Sequence, residues 1–249
     1  MQSKQQQVDY GQDAPDLLQN YLCKGTGLII AGMLIRCVDR SRWWRVLVWT
    51  GRFLQAIGWF WLARGMIMIW SSRVVKVWAA DDLLDALDLQ GNESVLDVGC
   101  GRGLLLIKAA KRLSSGRAIG VDLWSGVDQG NNTREATLIN AQIEGVLDRV
   151  EVHDGDMRDL SFLADGSIDV IMASKSIHNI PTREGRRQAI HEIVRVLKPG
   201  GRVALMDIFL IEEVAEHLRA CGMGEVTISP PNRLAYPPLR IVTGRKDVQ

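Results

Sequence analysis

Gly99, Gly101 and Gly103 stand at alternate positions directly behind an apolar run, in Val95-Leu-Asp-Val-Gly-Cys-Gly-Arg-Gly103. A buried strand that ends at Asp97 and turns at once towards a helix needs residues that tolerate positive φ, and glycine supplies them without a steric cost. The turn also leaves bare backbone at a helix N-terminus, where a ligand can approach closely. Around this turn, from about residue 80, strand-like and helix-like stretches alternate. Runs at 94–98, 117–122, 149–153, 168–173 and 202–209 read as strands, with helical stretches at 104–113, 133–146 and 183–197 between them. A helix near 212–221 and strands at 225–229 and 239–244 complete the pattern. Alternation of this kind predicts an α/β fold, a parallel sheet with helices on both faces. The last two strands have no helix between them, so an antiparallel hairpin is expected to close the sheet.

The rest of the chain is chemically different. Residues 25–80 carry eight Lys and Arg against one acid, Asp39, a net of +7, and seven of the eight Trp lie between Trp43 and Trp78. Residues 81–249 carry twenty basic residues against twenty-five acidic ones, a net of −5, which disfavours tracking a phosphate backbone, so no nucleic-acid partner is expected. Three parts follow: a polar tail at 1–24, an apolar, Trp/Arg-rich helical segment at 25–78, and an α/β domain at 79–249. The Gln-rich start, MQSKQQQ, lacks the apolar core of a secretory signal. Cys23, Cys37, Cys100 and Cys221 show neither a CxxC pair nor Cys/His metal spacing, so no metal site and a reducing compartment are expected.

Several strand ends carry side chains suited to a nucleoside. The spacing GxGxG differs from the dinucleotide GxGxxG, and Asp97, opening the motif, would repel a pyrophosphate but suits an ammonium group. Asp122, in Gly-Val-Asp-Leu-Trp124, ends the second strand, where a carboxylate can accept both hydroxyls of a ribose. Trp124 can pack on an adenine ring. Asp156 follows the third strand and can accept from an exocyclic amine, with the backbone at Met157 reading the ring edge. Leu197-Lys-Pro-Gly-Gly201 reads as a helix stop before the fifth strand.

Together VLDVGCGRG, GVDLW, GDMRD, MASKSIHNI and LKPGG resemble the class I S-adenosylmethionine-dependent methyltransferases, above all the ubiquinone/menaquinone C-methyltransferase-like small-molecule subgroup. The resemblance covers about residues 80–246. It implies a Rossmann-like seven-stranded sheet with the last strand antiparallel, S-adenosylmethionine as cofactor and S-adenosylhomocysteine as product. By position, Asp97 and the loop Gly99, Cys100, Gly101 and Gly103 would hold the methionine part. Asp122, Leu123 and Trp124 would meet the ribose and adenine, Asp156 and Met157 the adenine, and Ser174 would lie near the sulfonium. Cys100 reads as a small packing residue within that loop.

Methyl transfer from a sulfonium depends mainly on placing the acceptor in line with the methyl. A base matters where the acceptor carries a proton of high pKa. His178, in Ser174-Lys-Ser-Ile-His-Asn179, is the candidate; the alternative is a His that only ties down its loop. The chain lacks an Asn/Asp-Pro-Pro-aromatic motif after the fourth strand, which argues against adenine or glutamine nitrogen as acceptor; a small acceptor is expected, and a lipophilic one if the N-terminal segment meets a membrane. A non-catalytic cofactor-binding protein anchored to a membrane, or a methyltransferase acting on protein or lipid headgroups, would satisfy the same motifs. In the loop after Asp122, Asp128, Gln129 and Asn131 either cover the cofactor, contact the acceptor or are simply solvated.

Trp and Arg interleaved with apolar residues are what a membrane interface selects. Trp43, Trp44 and Trp49 would anchor, and Arg36, Arg40, Arg42 and Arg45 would favour anionic lipid. The alternative is a helical lid with Trp as ordinary core. A full span would place those arginines on the outer side, against the positive-inside tendency, and bury Arg64 at about 2.5–3.5 kcal/mol. Helices lying in the cytoplasmic interface, or a shallow hairpin, are therefore expected ahead of a transmembrane pair, with a purely cytoplasmic enzyme as the alternative. Gly51, Gly58 and Gly65 recur every seventh residue and predict a stripe that another helix can approach closely.

Overall fold

The computed structural model describes residues 7–37, 44–126 and 129–248. Trp43, Arg40, Arg42 and Asp128, singled out above, lie outside the described residues. Two units emerge. One comprises the chain up to Gly11, Val75–Gly126 and Asn131 onward; the other comprises Gln12–Val74 with Gln129 and Gly130.

In the larger unit, helix α3 (Lys76–Leu87) precedes β1 (Ser94–Val98), α4 (Leu104–Arg112), β2 (Arg117–Asp122), α5 (Arg134–Ile143) and β3 (Val150–Asp154). Then come β4 (Ile168–Ser174), α6 (Arg183–Val196), β5 (Leu197–Asp207), α7 (Ile211–Ala220), β6 (Met223–Ile228) and β7 (Arg240–Lys246). The seven strands pair in the order β3-β2-β1-β4-β5-β7-β6. Pairing is parallel from β3 to β5, and β7 runs antiparallel to both β5 and β6, as the missing last helix predicted.

The central strands are apolar on both faces because helices cover both. In β5, Ala204 and Met206 enter a core with Leu83, Leu84 and Leu106 of α3 and α4. Val203 and Leu205 enter the opposite core with Ile190, Ile193 and Leu218 of α6 and α7. This is the period-2 alternation of a strand set between two helical layers. The chain leaves β1 first to one side (β2) and later to the other (β4), so the crevice at the carboxyl ends of these strands is the topological switch point, where open α/β sheets bind ligands.

Two expectations change. Leu197-Lys-Pro-Gly-Gly201 is not a helix stop ahead of the strand but the first part of β5 itself. Its pairing with β4 steps from Ile168/Leu197 to Val170/Arg202, so three extra residues of β5 bulge out there, with Gly200 at φ +76°. The polar N-terminal stretch is also ordered where it is described. Asp9 exchanges hydrogen bonds with the side chain of Asn140, and its carbonyl and carboxylate accept from the buried Arg102 of the glycine loop. Lys76 donates to the carbonyls of Tyr10 and Gly11.

In the smaller unit, α1 (Pro15–Cys37) begins within the stretch read as a polar tail, and α2 (Trp44–Trp70) packs against it. The glycine stripe makes that packing possible. A Cβ on Gly58 would lie 2.7 Å from the carbonyl oxygen of Gly25, and one on Gly51 would lie 2.6 Å from that of Gly32.

Candidate active site

The glycine loop is fixed by backbone contacts that a side chain would break. The amides of Gly99 and Cys100 both donate to the Val121 carbonyl at the end of β2, and Gly99, Gly101 and Gly103 all have positive φ. At Gly99 a Cβ would fall 2.3 Å from Cβ of Ser176, whose hydroxyl donates to the Val98 carbonyl at 2.8 Å. Glycine is required there by conformation and by the approach of the segment after β4. Met157 reaches the same spot, its Cε 3.3 Å from that Cβ position.

Asp97 is 1% exposed, and neither carboxylate oxygen has a hydrogen-bond partner among the described residues. Burial, reinforced by the negative charge of Asp122, pushes its pKa up to about 8. A buried carboxyl without partners is costly unless a cation or donor joins it. The α-ammonium of a methionine moiety would be such a group.

Asp122 is already engaged. One oxygen accepts from the Gly101 amide (2.8 Å), and the other from the Trp124 amide (2.6 Å) and the Asn132 side chain (3.1 Å). Two carboxylate oxygens offer about four lone-pair sites, so one remains. The buried Oδ1 of Asn132 is itself unpartnered. Two acceptors thus stand open, one on Asp122 and one on Asn132, and would suit a ribose diol, where the sequence suggested Asp122 alone. Unmet buried acceptors beside an orphaned carboxyl fit an aminoacyl nucleoside.

The remaining residues are placed less uniformly. Leu123 is exposed, and Trp124, at φ +59°, is partly buried with its indole N–H donating to Asp154 at 2.7 Å. Asp156 is held by Arg158, which donates through its backbone amide and its guanidinium, and this keeps the carboxyl below its ordinary range. An amine arriving here would share the carboxylate with that exposed arginine. Ser174 ends β4 opposite Met206. Cys100 is buried, and burial raises its thiol well above the usual value, so it packs and does not act as a nucleophile. In the loop after β2, Asn131 gives its carbonyl to Arg102, while Gln129 bridges to Asp13.

His178 sits on a 3₁₀ turn, Ile177–Asn179, just beyond β4. Its Nδ1 lies 2.5 Å from Oδ1 of Asp207, the last residue of β5, and its backbone amide donates to the other oxygen at 3.2 Å. Asp207 is 4% exposed, and the edge of Phe209 meets the imidazole at 6.0 Å between ring centres. In the neutral tautomer that donates from Nδ1 to Asp207, the other ring nitrogen is an acceptor. Asp207 escaped the sequence reading, although a lone acid closing the apolar run Val-Ala-Leu-Met was a usable signal. The other histidines are engaged elsewhere or exposed: His153 with Glu151 and Phe162, His217 beside Glu213, and His191 facing solvent.

Residues 95–201 match the family model described as a methyltransferase domain. Among curated proteins, the chain is 32% identical over 154 residues to 27-O-demethylrifamycin SV methyltransferase of Amycolatopsis mediterranei (strain S699), covering 59% of this chain and 53% of that protein. It is 37% identical over 123 residues to nocamycin O-methyltransferase of Saccharothrix syringae, covering 49% and 40%. The chain thus spans about half the length of the curated relatives it matches. Among solved structures, the [4+2]-cyclase SpnF superposes with a TM-score of 0.60 at 20% identity, covering 72% of this chain and 84% of that one, a likeness of fold alone. With the seven-stranded sheet and the glycine loop at its switch point, these matches bear out the resemblance of residues 95–201 to a class I methyltransferase domain, a family whose cofactor is S-adenosylmethionine.

Proposed function

We propose that this chain transfers a methyl group from S-adenosylmethionine to a small, lipophilic acceptor at an atom that gives up a proton, most simply a hydroxyl oxygen. The observation that carries the reading is the His178–Asp207 pair at adjacent strand ends. The bound cofactor supplies an electrophilic methyl on a sulfonium; the protein positions the acceptor and takes the proton. Asp207 holds the imidazole in one tautomer and orientation and stabilises the imidazolium that forms. The relatives named for O-methylation support an oxygen acceptor. Labelled-methyl transfer into a metabolite and lipid extract, followed by product identification, tests the proposal. Tight cofactor binding without turnover on any extract would favour the non-catalytic reading, and label on macromolecules would favour protein or lipid-headgroup methylation.

The enzyme is further proposed to work on the cytoplasmic side of a membrane, which it contacts through residues 25–78 and from which the acceptor is drawn. Large apolar side chains on α1 and α2, such as Leu34, Phe53 and Trp59, are exposed to solvent, and this supports the reading. Co-sedimentation of the full chain with vesicles, with and without anionic lipid, measures it. A folded protein that stays in the supernatant with both would return the enzyme to the cytoplasm.

A further inference from the structure

Helices α1 and α2 meet through bare backbone and turn their large apolar side chains outward. The glycine contacts run antiparallel, Gly25 on Gly58 and Gly32 on Gly51, with the same interval of seven residues on both helices. Leu18 and Leu22 extend the seam against Gly65. Outside the seam, Ile30, Met33, Leu34, Phe53, Trp59 and Met66 are each more than half exposed. A helix pair stabilised by water would place these chains in the seam and leave the small residues outside. Small residues inside and bulky apolar ones outside is the pattern of helices packed within lipid.

The exposed apolar residues do not form one stripe. Trp59 and Phe60 are consecutive and both exposed, as are Met66 and Ile67, so each pair spreads over about 100° of the helix. A helix lying on a membrane needs one polar face and one apolar face. Neither α1 nor α2 has that division.

We propose that α1 and α2 form a hairpin embedded in the hydrocarbon of an anionic phospholipid bilayer, with the Cys37 end carried in. This rests on the membrane contact proposed above and specifies its mode. Charge placement supports it. Gly25–Ile35 and Phe53–Ala63 contain no charged residue, eleven residues or about 16 Å of helix each. That is short of the ~30 Å hydrocarbon core, a difference that bilayer thinning and snorkelling side chains accommodate. Of the four cations that border this band, Arg36 donates to Gln55 inside it, and Lys24 and Arg52 lean away from its middle. The Lys24 ammonium lies over Trp61 and the Arg52 guanidinium over Trp49, each 5.4 Å from the ring centre and each displaced towards its nearer end of the hairpin. Arg64, the residue that argued against insertion, donates to the Tyr21 hydroxyl and lies against the rings of Tyr21, Phe60 and Trp61, which lowers the cost of burying its charge. Arg36 and Arg45 mark the far end and Arg73 the near one, so basic residues flank both sides of the band and suit anionic headgroups.

Two native cysteines bracket the band. Cys23 and Cys37 are both exposed and lie at opposite ends of the apolar part of α1. The full chain is added to sealed phosphatidylcholine/phosphatidylglycerol vesicles, washed with high salt and then alkaline carbonate, and treated with a membrane-impermeant maleimide. Labelling at each cysteine is read by peptide mass spectrometry. The expected result is retention through both washes, with Cys23 labelled at once and Cys37 labelled only after detergent is added. Release by carbonate, or labelling of both cysteines in sealed vesicles, would overturn insertion while leaving surface contact intact. A folded, cofactor-binding protein that never sediments with vesicles would remove the membrane reading itself, and the methyl-transfer proposal would stand untouched.

Discussion

Oδ1 of Asp207 lies 2.5 Å from Nδ1 of His178, and the other oxygen of the same carboxylate accepts the His178 backbone amide at 3.2 Å. One buried acid at the end of β5 thus fixes both the position and the tautomer of an imidazole at the end of β4. His178→Ala is expected to lower turnover by about 10²–10⁴-fold while cofactor affinity stays near wild type. Asp207→Asn should also lower turnover, because an amide cannot stabilise the imidazolium. Methyl-transfer rates measured alongside calorimetric binding check this, and equal turnover in His178→Ala would return the residue to a structural role.

Asp122→Ala should weaken cofactor binding by about 1.5–3 kcal/mol, through the loss of a charged acceptor and of the ties to Gly101, Trp124 and Asn132. Asn132→Ala removes a buried Oδ1 that has no partner among the described residues, together with the amide donor to Asp122, so it should weaken binding too, at a cost of about 1 kcal/mol in stability. Calorimetric titration with S-adenosylhomocysteine separates the two variants. Unchanged affinity in both would reject the assigned ribose site.

Asp97 makes the site respond to pH. Its folded pKa of about 8 lies above the unfolded value, so between about pH 4 and pH 8 the folded state binds the extra proton. Stability from this group is therefore greatest below pH 4 and declines as pH rises towards 8, and Asp97→Asn should flatten that decline. An ammonium group beside the carboxyl draws the pKa down. Cofactor binding near neutrality should then release a proton, and affinity should rise with pH up to about 8. Calorimetry in two buffers of different ionisation enthalpy reads the proton directly; identical heats would contradict the placement of the ammonium at Asp97.

Arg102 ties the N-terminal segment to the glycine loop through Asp9 and to the following loop through the Asn131 carbonyl. Arg102→Ala should cost about 1.5–3 kcal/mol and expose the segment around Asp9 to proteolysis. Denaturant unfolding with limited digestion measures both. A variant as stable and as protease-resistant as wild type would show that Asn140 and Lys76 suffice.

Gly58→Leu forces a side chain onto the Gly25 carbonyl and Ile29, and should destabilise the hairpin by about 1–3 kcal/mol, whereas Gly27→Ala, with open space around it, should be close to neutral. Thermal unfolding of the protein in lipid nanodiscs distinguishes them. Equal loss in both would mean that the seam is not what holds the helices together.

The sequence by itself determined the sheet, its antiparallel closing strand and the glycine loop. Those features are local: short, near-continuous apolar runs such as that around Val95–Val98 form strands wherever both faces can be covered, and positive φ at Gly99, Gly101 and Gly103 follows from what a strand-to-helix turn requires. Tertiary structure decided which side chains share the site. Asp207 is 29 residues from His178 and reaches it because parallel β4 and β5 end side by side; Ser176 comes to Gly99 by the same adjacency of β4 and β1, while Asn132 returns to Asp122 through the fold of the loop after β2. Local pairing also engages Asp156, which is bound by Arg158 two residues on. In the hairpin, composition announced apolar helices, but only packing showed that glycines line the seam while Leu34, Phe53 and Trp59 face out. Residue order fixes dihedral preference and the face on which a side chain stands; the partner on that face is set by which elements the sheet and the helix pair bring within a few ångströms of one another.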